Sequence, residues 1–464
     1  MPYGYNGRVL HVDLSEQTCR VEEPPETWYR TYLGGGAAAA YYLLRELPPG
    51  VDPLGPDNVL VFACSVVTGA PISGFIRYTV AAKSPLTNGF MESEAGGYFG
   101  PEMKFAGFDV LVIKGRAKKP VYLWLDHQTA EIREAGRFWG LETGPLKEAL
   151  IQELGDKRLR VAAIGPASEK LIPFACLLNE QAHANGRGGL CAVMGSKNLK
   201  AVVCRGRPSE QIYADPAGVE EVARWQLDKI KEHPPSQNMQ QNGTPSLVEG
   251  LNASGILPTR NFQDRVFEAA AKIGARAMKE TILKRRGTCY RCGVGCKRVV
   301  EYQDGRFSVD PRYGGPEYET LASFGSLCGV DDLPAVAKAH EICNRQGLDT
   351  ISAGCVIAFA MECFQKGVLT PAETGGRPRR SVAGRRGTPL KSRARRCPCT
   401  TPGARPASAS ATPSRPPGLI TSSHPTRPPF RGRPSVSSSP WACSSRPTPW
   451  PWTSAKGLIS GTCS

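Results

Sequence analysis

Apolar and polar residues alternate over the first part of the chain, which is the pattern of β-strands. Residues 8–14 and 18–22 alternate on either side of the polar turn 15–17, and this predicts a β-hairpin. Helical patterns such as that of residues 145–154 are interspersed. Further strands are predicted by short apolar runs at 59–64, 78–82, 110–114, 121–125, 161–164 and 201–204. We therefore predict a β-rich N-terminal domain over residues 1–205.

The period becomes helical after residue 205. Asp215 and Pro216 predict an N-cap and a first-turn proline, and the apolar residues that follow fall near one helical face until Pro234 ends the run. A second helix is predicted from Asp331 to Asn344, and a third begins at Asp349 or Thr350 and ends near Gly367. Residues 206–373 are therefore predicted to form a mostly helical domain, and the fold class is α+β.

The charge of the chain is concentrated at its C-terminal end. The sequence holds 58 Lys and Arg against 42 Asp and Glu, a net charge of +16. Sixteen of the basic residues lie in 374–464, which contains no Asp or Glu, so residues 1–373 are electrically balanced. This balance excludes the body of the protein as a polyanion-binding surface, and we expect no nucleic-acid partner.

Residues 374–464 are rich in Arg, Pro and Ser and show no apolar periodicity. One interpretation is a disordered basic arm with interleaved tryptophans that binds RNA. The other is a frameshift near residue 375, because out-of-frame translation of G/C-rich DNA produces Arg, Pro, Ser and Ala with few acidic residues. The abrupt change of composition favours the frameshift.

Sixteen cysteines are scattered through the chain, several of them in apolar stretches. Such usage in a protein of this size is typical of a reducing compartment rather than of a disulfide framework. The N-terminus lacks the pattern of a signal peptide, and no apolar run is long enough to cross a bilayer. We expect a cytoplasmic protein with no membrane contact.

Three of the cysteines, Cys289, Cys292 and Cys296, form one motif, Cys-Tyr-Arg-Cys-Gly-Val-Gly-Cys. Its spacing lets one short loop direct three thiolates at one inorganic centre, and its two glycines allow the backbone to curl around a bulky [4Fe–4S] cluster. The fourth ligand must lie elsewhere in the chain. A structural zinc site is the alternative, but Cys328 and His340, the next candidate ligands, stand alone. The motif therefore favours an iron–sulfur cluster.

Three glycine-rich motifs precede the cysteines. They are Ser-Pro-Leu-Thr-Asn-Gly at 84–89, Ala-Gly-Gly-Tyr-Phe-Gly at 95–100 and Asn-Gly-Arg-Gly-Gly at 185–189. Glycines with isolated basic residues suit loops whose backbone N–H groups and cations hold phosphorylated ligands.

With these motifs ahead of the cysteines, and with Gly-Pro-Glu-Tyr-Glu at 315–319 and Asn-x-x-Gly-Leu-Asp at 344–349 after them, the chain resembles the tungsten-containing aldehyde ferredoxin oxidoreductases. The resemblance covers about residues 1–372. It implies tungsten, or molybdenum, held between the dithiolenes of two pterins beside a [4Fe–4S] cluster. It also implies oxidation of an aldehyde to a carboxylate, with two electrons passed to ferredoxin.

The resemblance assigns roles to further residues. Contacts to the pterins and to their phosphate-bound magnesium are implied for Arg77, Glu94, Gly96, His183, Ala184 and Gly186. Glu94 and His183 depart from the Asn and Arg of the best-known members. Asn344 and Asp349 belong to a second pterin motif, in which an Asp often takes the place of Asn344; the alternative is that Gly347 and Asp349 only cap helices.

Glu319 falls where the family places an acidic residue next to the metal, and such a residue suits proton transfer during attack on the aldehyde. Glu317 is the competing choice. A surface carboxylate is the structural alternative for Glu319, which the neighbouring Leu321 and Phe324 make less favoured.

The family's fourth cluster cysteine, a second pterin motif and a substrate-pocket histidine fall in the region that the Arg/Pro/Ser tail replaces. Four cysteines of the tail lack that context: Cys397, Cys399, Cys443 and Cys463. A polypeptide with this tail is expected to complete neither cofactor site.

Three functions follow. The first is an aldehyde oxidoreductase, as a homodimer or as a subunit of a larger complex, impaired in this copy. The second is the tungsten subunit of a complex that reduces an aromatic thioester or another non-aldehyde substrate, towards which the stretch 92–99 leans. The third, of another class, is a non-catalytic protein that binds zinc and RNA.

Overall fold

The computed structural model describes residues 3–208 and 212–374. Both interpretations of the tail therefore lie outside the described residues, except for Thr374. In the part of the chain that is described, no helix has the length and apolar character needed to cross a membrane. The N-terminal part is built on two sheets, and the region after residue 212 is mostly helical, which confirms the α+β class.

The first sheet begins with the predicted hairpin. Its strands are β1 (Val9–Asp13), β2 (Thr18–Glu22), β3 (Leu60–Cys64), β4 (Tyr78–Lys83), β5 (Phe90–Ala95) and β6 (Val110–Lys114). Their order is β2-β1-β6-β3-β4-β5, and only the pairing of β1 with β6 is parallel.

The second sheet contains β7 (Val121–Asp126), β8 (Thr129–Glu134), β9 (Arg160–Ala163), β10 (Leu177–Asn179), β11 (His183–Asn185) and β12 (Leu199–Arg205). Their order is β11-β10-β9-β12-β7-β8. Its central strands, like those of the first sheet, have both faces covered and therefore consist of continuous apolar runs such as Val121–Asp126.

Helices cover the two sheets and fill the space between them. The N-terminal helices are α1 (Glu26–Tyr32), α2 (Gly35–Glu46), α3 (Phe99–Phe105), α4 (Thr143–Leu154), α5 (Pro166–Glu169) and α6 (Leu190–Ser196). Phe62 of the first sheet, Val202 of the second, and Phe99 and Val193 of α3 and α6 share one buried cluster. The two sheets therefore have a common core, with α2 on the outer face of one and α4 on the outer face of the other.

The second region consists mainly of helices α7 (Pro216–Glu232), α8 (Pro234–Asn242), α9 (Leu247–Ala253), α10 (Ala275–Thr281), α11 (Tyr318–Thr320), α12 (Leu333–Gln346) and α13 (Thr350–Gln365). A π-helical segment, Leu321–Ser326, follows α11 directly. Short 3-10 turns lie at Gly136–Phe138, Thr244–Ser246, Ala270–Lys272 and Pro311–Tyr313. Two small hairpins complete the region: β13 (Leu283–Gly287) with β14 (Lys297–Val300), and β15 (Tyr302–Gln303) with β16 (Ser308–Val309).

The predicted helix signals act as expected. Asp215, Asp332 and Asp349 each accept backbone hydrogen bonds at the start of a helix, and Gly347 ends α12 with a φ of 71°. Pro234 is different from the prediction, because it ends one helix and also begins α8 at the first-turn position.

Candidate active site

The connection between β13 and β14 carries the three predicted cluster cysteines. Within this connection, the Thr288 hydroxyl donates to the carbonyl oxygens of Cys289 and Cys292 at 3.2 and 3.0 Å. The Cys292 N–H donates to the Cys289 carbonyl at 3.2 Å. The segment from Cys289 to Cys296 is therefore a folded loop, held at both ends by paired strands.

Arg298 of β14 holds this loop in place by hydrogen bonds to its backbone. Its side chain is buried, at 3% exposure, and its guanidinium donates to the carbonyls of Gly295 and Cys296 in the loop and of Gln240 and Gln241 at the end of α8. A guanidinium presents five donors in a rigid fork, so one side chain can satisfy four carbonyls. The cysteine loop and α8 are joined in this way.

A cavity of about 480 Å³ opens beside the loop. Eight of the predicted site residues line it: Arg77, Glu94, Gly96, His183, Ala184, Cys289, Cys292 and Cys296. These residues come from the first sheet, the second sheet and the cysteine hairpin. We call them the cavity group.

Gly96 and Gly97 form the wall that faces the cysteines. A Cβ atom on Gly96 would lie 3.3 Å from the Cys289 sulfur, so a side chain at this position would occupy the space beside the thiol. Gly97 has a φ of +97°, and its carbonyl accepts a hydrogen bond from the Tyr290 N–H at 3.1 Å. The glycine motif at 95–100 therefore pairs directly with the cysteine loop.

Arg77 and Glu94 lie at the rim of the cavity. Their charged groups are 3.8 Å apart, and their side chains are 62% and 51% exposed. An ion pair so open to water holds its partners weakly. The guanidinium can therefore turn to an anionic ligand such as a phosphate without the loss of a strong contact.

Among the residues that line this cavity, His183 has a strongly lowered pKa. Burial is the main cause that lowers the pKa of its imidazole, the positive charge of Lys297 acts in the same direction and Glu317 opposes both, and the resulting pKa is about 3. His183 is therefore neutral at physiological pH and acts as a hydrogen-bonding group rather than as a cation.

Lys297 follows Cys296 directly and also lines the cavity. Its ammonium lies 2.8 Å from the Glu317 carboxylate, which also accepts a hydrogen bond from the Thr244 hydroxyl. Burial acts to raise the pKa of Glu317, but the facing Lys297 and Thr244 outweigh it and leave that pKa lowered. Both partners are therefore charged, and this ion pair stands next to the three thiols.

The three thiols lie on the lining of one cavity and are a donor set that suits an iron–sulfur cluster. In residues 3–208 and 212–374, no group of three or more His, Cys, Asp or Glu side chains is arranged so that it could hold a metal ion. Burial raises the pKa of Cys289 to about 11, so its thiol is protonated unless a metal displaces the proton.

Three predicted residues, Gly186, Glu319 and Asp349, do not line the cavity. Together with Arg187, which was not predicted, we call them the surface group. The Arg187 guanidinium contacts the Asp349 carboxylate at 3.1 Å, and Asp349 also caps α13. The carboxyl of Glu319 is exposed; partial burial and the nearby Asp349 raise its pKa, while Arg187 opposes them. Glu319 is therefore exposed in the described residues and does not line the cavity, and its place next to the metal stays a prediction.

Asn344 joins neither group. Its side-chain amide donates to the Tyr313 carbonyl at 3.0 Å and contacts the His340 ring at 3.1 Å. Its backbone carbonyl accepts a hydrogen bond from the Thr143 hydroxyl. All these contacts are buried. The described structure therefore gives Asn344 a role in holding α12 against the N-terminal part.

Sequence reasoning missed the residues that support the site. Arg298, Ser73 and Thr244 were not predicted. The Ser73 hydroxyl supports the cysteine loop, because it accepts a hydrogen bond from the Gly293 N–H at 3.0 Å. The position of Lys297 and Arg298 directly after the last cysteine was the available signal.

Comparison with known proteins agrees with this geometry. The family model for the N-terminal domain of aldehyde ferredoxin oxidoreductase matches residues 9–206, and that for its domains 2 and 3 matches residues 221–384. The tungsten-containing aldehyde ferredoxin oxidoreductase of Pyrococcus abyssi is 40% identical over 380 residues, which is 81% of this chain and 61% of that protein.

More distant relatives have other activities in their names. The WOR-like subunit of an aliphatic sulfonate oxidoreductase from Pyrococcus furiosus is 31% identical, over 80% of this chain and 61% of that protein. The active-site complex BamBC of benzoyl coenzyme A reductase is similar in structure, with a TM-score of 0.72 and 28% identity over 82% of this chain and 58% of that one. This chain spans about three fifths of the length of these relatives, and it belongs to the aldehyde ferredoxin oxidoreductase family.

Proposed function

We propose that this chain is the cofactor-binding part of a tungsten- or molybdenum-dependent oxidoreductase that oxidises an aldehyde to a carboxylate and passes the electrons to ferredoxin. One observation carries the proposal. Eight residues assigned to the cofactors, separated by up to about 220 positions in the sequence, line a single cavity. The named activity of the relatives agrees with it.

Within this proposal, the cavity group divides into two sides. Cys289, Cys292 and Cys296 hold a [4Fe–4S] cluster, with a fourth ligand that is not assigned. Arg77 and Gly96, with His183 and Ala184, face the pterin, while Glu94 accompanies its magnesium. When bound, these groups supply the two-electron oxidation and its division into single-electron steps.

The protein's own residues orient and protect these groups. Gly96 leaves space beside the Cys289 sulfur, and neutral His183 presents a polar group without adding charge. In the surface group, Arg187 pairs with Asp349, and Glu319 is an exposed carboxyl whose pKa is raised by partial burial. Proton transfer is the role we propose for Glu319.

Metal analysis of the full chain tests this proposal. The protein is produced anaerobically, reconstituted with iron and sulfide, and measured for iron, tungsten, molybdenum and zinc. With a small thiol added in place of the missing fourth ligand, we expect about four iron atoms per chain, and we expect Cys292→Ser to lose most of this iron. The control Cys19→Ser changes an exposed cysteine on β2 and should keep it. One zinc with no iron would contradict the proposal and favour the zinc alternative.

A second candidate is the tungsten subunit of an aromatic acyl-CoA reductase type of complex. The structural similarity to BamBC at a TM-score of 0.72 favours it. An aldehyde panel with a viologen acceptor separates the two, because only the first function reduces the dye in the absence of other subunits. A cytoplasmic location and assembly as a homodimer or as part of a complex stay predictions.

A further inference from the structure

The Lys297–Glu317 ion pair has no role in the cofactor contacts described above. Its ammonium and carboxylate are 2.8 Å apart, and the two side chains are 27% and 25% exposed. A shielded pair of full charges therefore stands at the cavity.

Three separate segments hold this pair in position. Lys297 begins β14, Glu317 is the residue before α11, and Thr244 begins a 3-10 turn. The Thr244 hydroxyl donates to the Glu317 carboxylate and accepts the Tyr318 N–H at 3.0 Å. Because each end is fixed by backbone structure, the orientation of the pair is set: Lys297 belongs to the lining of the cavity, and Glu317 stands behind it.

This orientation gives the pair an unequal effect on the cavity. An ammonium close to a group that gains an electron stabilises the reduced form, and the interaction is strong where water is partly excluded. A carboxylate behind the ammonium reduces that stabilisation. Two other charges near the thiols should affect such a group less than Lys297 does. Arg77 is exposed and paired, and the Arg298 guanidinium is directed at backbone carbonyls.

We propose that the Lys297–Glu317 pair sets the reduction potential of the iron–sulfur cluster, with Lys297 raising the potential and Glu317 limiting the rise. The inference rests on the proposed function, because it needs a cluster at the three cysteines. The step is a one-electron reduction: the cluster gains one electron from the reductant, no bond forms or breaks, and neither Lys297 nor Glu317 gives up or takes a proton. The reduction potential of such clusters depends on net charge and solvent exposure.

Variants of opposite charge test the proposal. The reconstituted full chain is titrated with dithionite, and the reduced cluster is followed by electron paramagnetic resonance. We expect Lys297→Met to lower the potential and Glu317→Gln to raise it, each by about a tenfold change in the one-electron equilibrium constant, which corresponds to about 59 mV. Lys297→Arg keeps the charge and should stay near the wild-type potential.

A double variant and a matched pair provide the controls. Lys297→Met combined with Glu317→Gln removes both charges and should shift the potential by less than either single change. Lys284 and Glu301 form an ion pair of the same 2.8 Å length, Lys284 lying on β13 of the same hairpin, but they are 44% and 51% exposed. Lys284→Met should therefore leave the potential unchanged, because water screens that charge.

The outcomes separate the inference from the function on which it rests. A wild-type protein without iron contradicts the proposed function. A protein that holds four iron atoms but keeps its potential in Lys297→Met and Glu317→Gln contradicts the inference alone. A shift of the reduction potential in the same direction in both variants also contradicts it. General damage to the loop would shift both potentials alike, whereas removal of opposite charges should shift them in opposite directions. Thermal unfolding of each variant identifies such damage.

Discussion

The cavity group and the surface group were assigned by the same resemblance, but the structure treats them differently. The cavity group is supported by hydrogen bonds that Arg298 and Thr288 donate to backbone carbonyls and by one that the Gly97 carbonyl accepts from Tyr290. Together they connect three segments of the chain. The surface group depends on one partly exposed ion pair, Arg187 with Asp349, and on a helix cap. The first site is supported by several hydrogen bonds across segments, whereas in the second only Asp349 is buried, and Arg187 and Glu319 are exposed.

This difference shows which residues are expected to support both the folded state and the metal site. In the cavity, changing a support residue should alter both folding and metal binding. At the surface group, the same kind of change should alter folding little. Four predictions test this contrast.

The largest effect is expected for Arg298→Met. It leaves four carbonyls without their donor in a site with little water, which should lower the free energy of unfolding by about 4 kcal/mol. Urea unfolding measures this loss, and iron content should fall as well. Arg286→Met is the matched control, because Arg286 is the exposed cross-strand neighbour of Arg298 and should cost about 0.5 kcal/mol or less. Equal losses in the two variants would remove the contrast.

The second largest effect is expected for Gly97→Ala, which should lower the free energy of unfolding by about 3 kcal/mol. At a φ of +97° an alanine is strained, and its Cβ would come within 2.3 Å of the Asn179 amide oxygen. The control Gly74→Ala has nearly the same φ, +95°, but its Cβ would meet nothing within 4 Å, so only the strain of about 1 kcal/mol remains. Thermal unfolding distinguishes the two. A Gly97→Ala protein as stable as the control would show that this wall of the cavity yields easily.

An intermediate effect is expected from pH. Burial lowers the pKa of His340 to about 4, with a further contribution from Lys297. Because this value lies below the ordinary 6.5, His340 favours folding above pH 6.5 and opposes it as the pH falls towards 4. Between pH 7.5 and 5 this amounts to about 2 kcal/mol.

The variant His340→Asn should therefore lose about 2 kcal/mol less than the wild type over that pH interval in urea unfolding. Val336→Ala on the same helix removes buried apolar volume without a titratable group, so its loss should be the same at both pH values. An unchanged pH dependence in His340→Asn would mean that the region behind the cavity is wetter than its burial indicates.

The smallest effects are expected in the surface group. Asp349→Ala removes the cap of α13 and should cost about 1 kcal/mol, whereas Asp349→Asn keeps a capping oxygen and should cost less. Arg187→Gln breaks only the partly exposed ion pair, so about 0.5 kcal/mol is expected. Urea unfolding is the measurement. A loss in Arg187→Gln as large as that in Arg298→Met would show that the two groups are equally supported.

Local signals in the sequence predicted most of the helices and strands. Alternation located β1 and β2, and Asp332 and Gly347 marked the ends of α12 to within two residues. The hairpin of β13 and β14 was not predicted, because Leu-Lys-Arg-Arg-Gly shows no alternation and the cysteine loop separates its strands.

The site was predictable only in part for a physical reason. The cysteines and glycines are recognisable because their residue types are required by chemistry and by backbone space. Arg298 and Thr288 act on backbone carbonyls, which every residue carries, so no particular partner appears in the sequence. The exposure of Glu319 depends on what packs around it in three dimensions, which its apolar sequence neighbours do not determine, so its place next to the metal stays a prediction.

The hydrogen bond from Tyr290 to Gly97 has a consequence for the order in which the protein is made. The glycine wall leaves the ribosome long before the cysteine loop that faces it, so the N-terminal sheets can fold while one side of the cavity is still missing. A cofactor delivered at that stage would meet a surface open to water and without thiols. The complete wall of the cavity therefore exists only after the hairpin has been made.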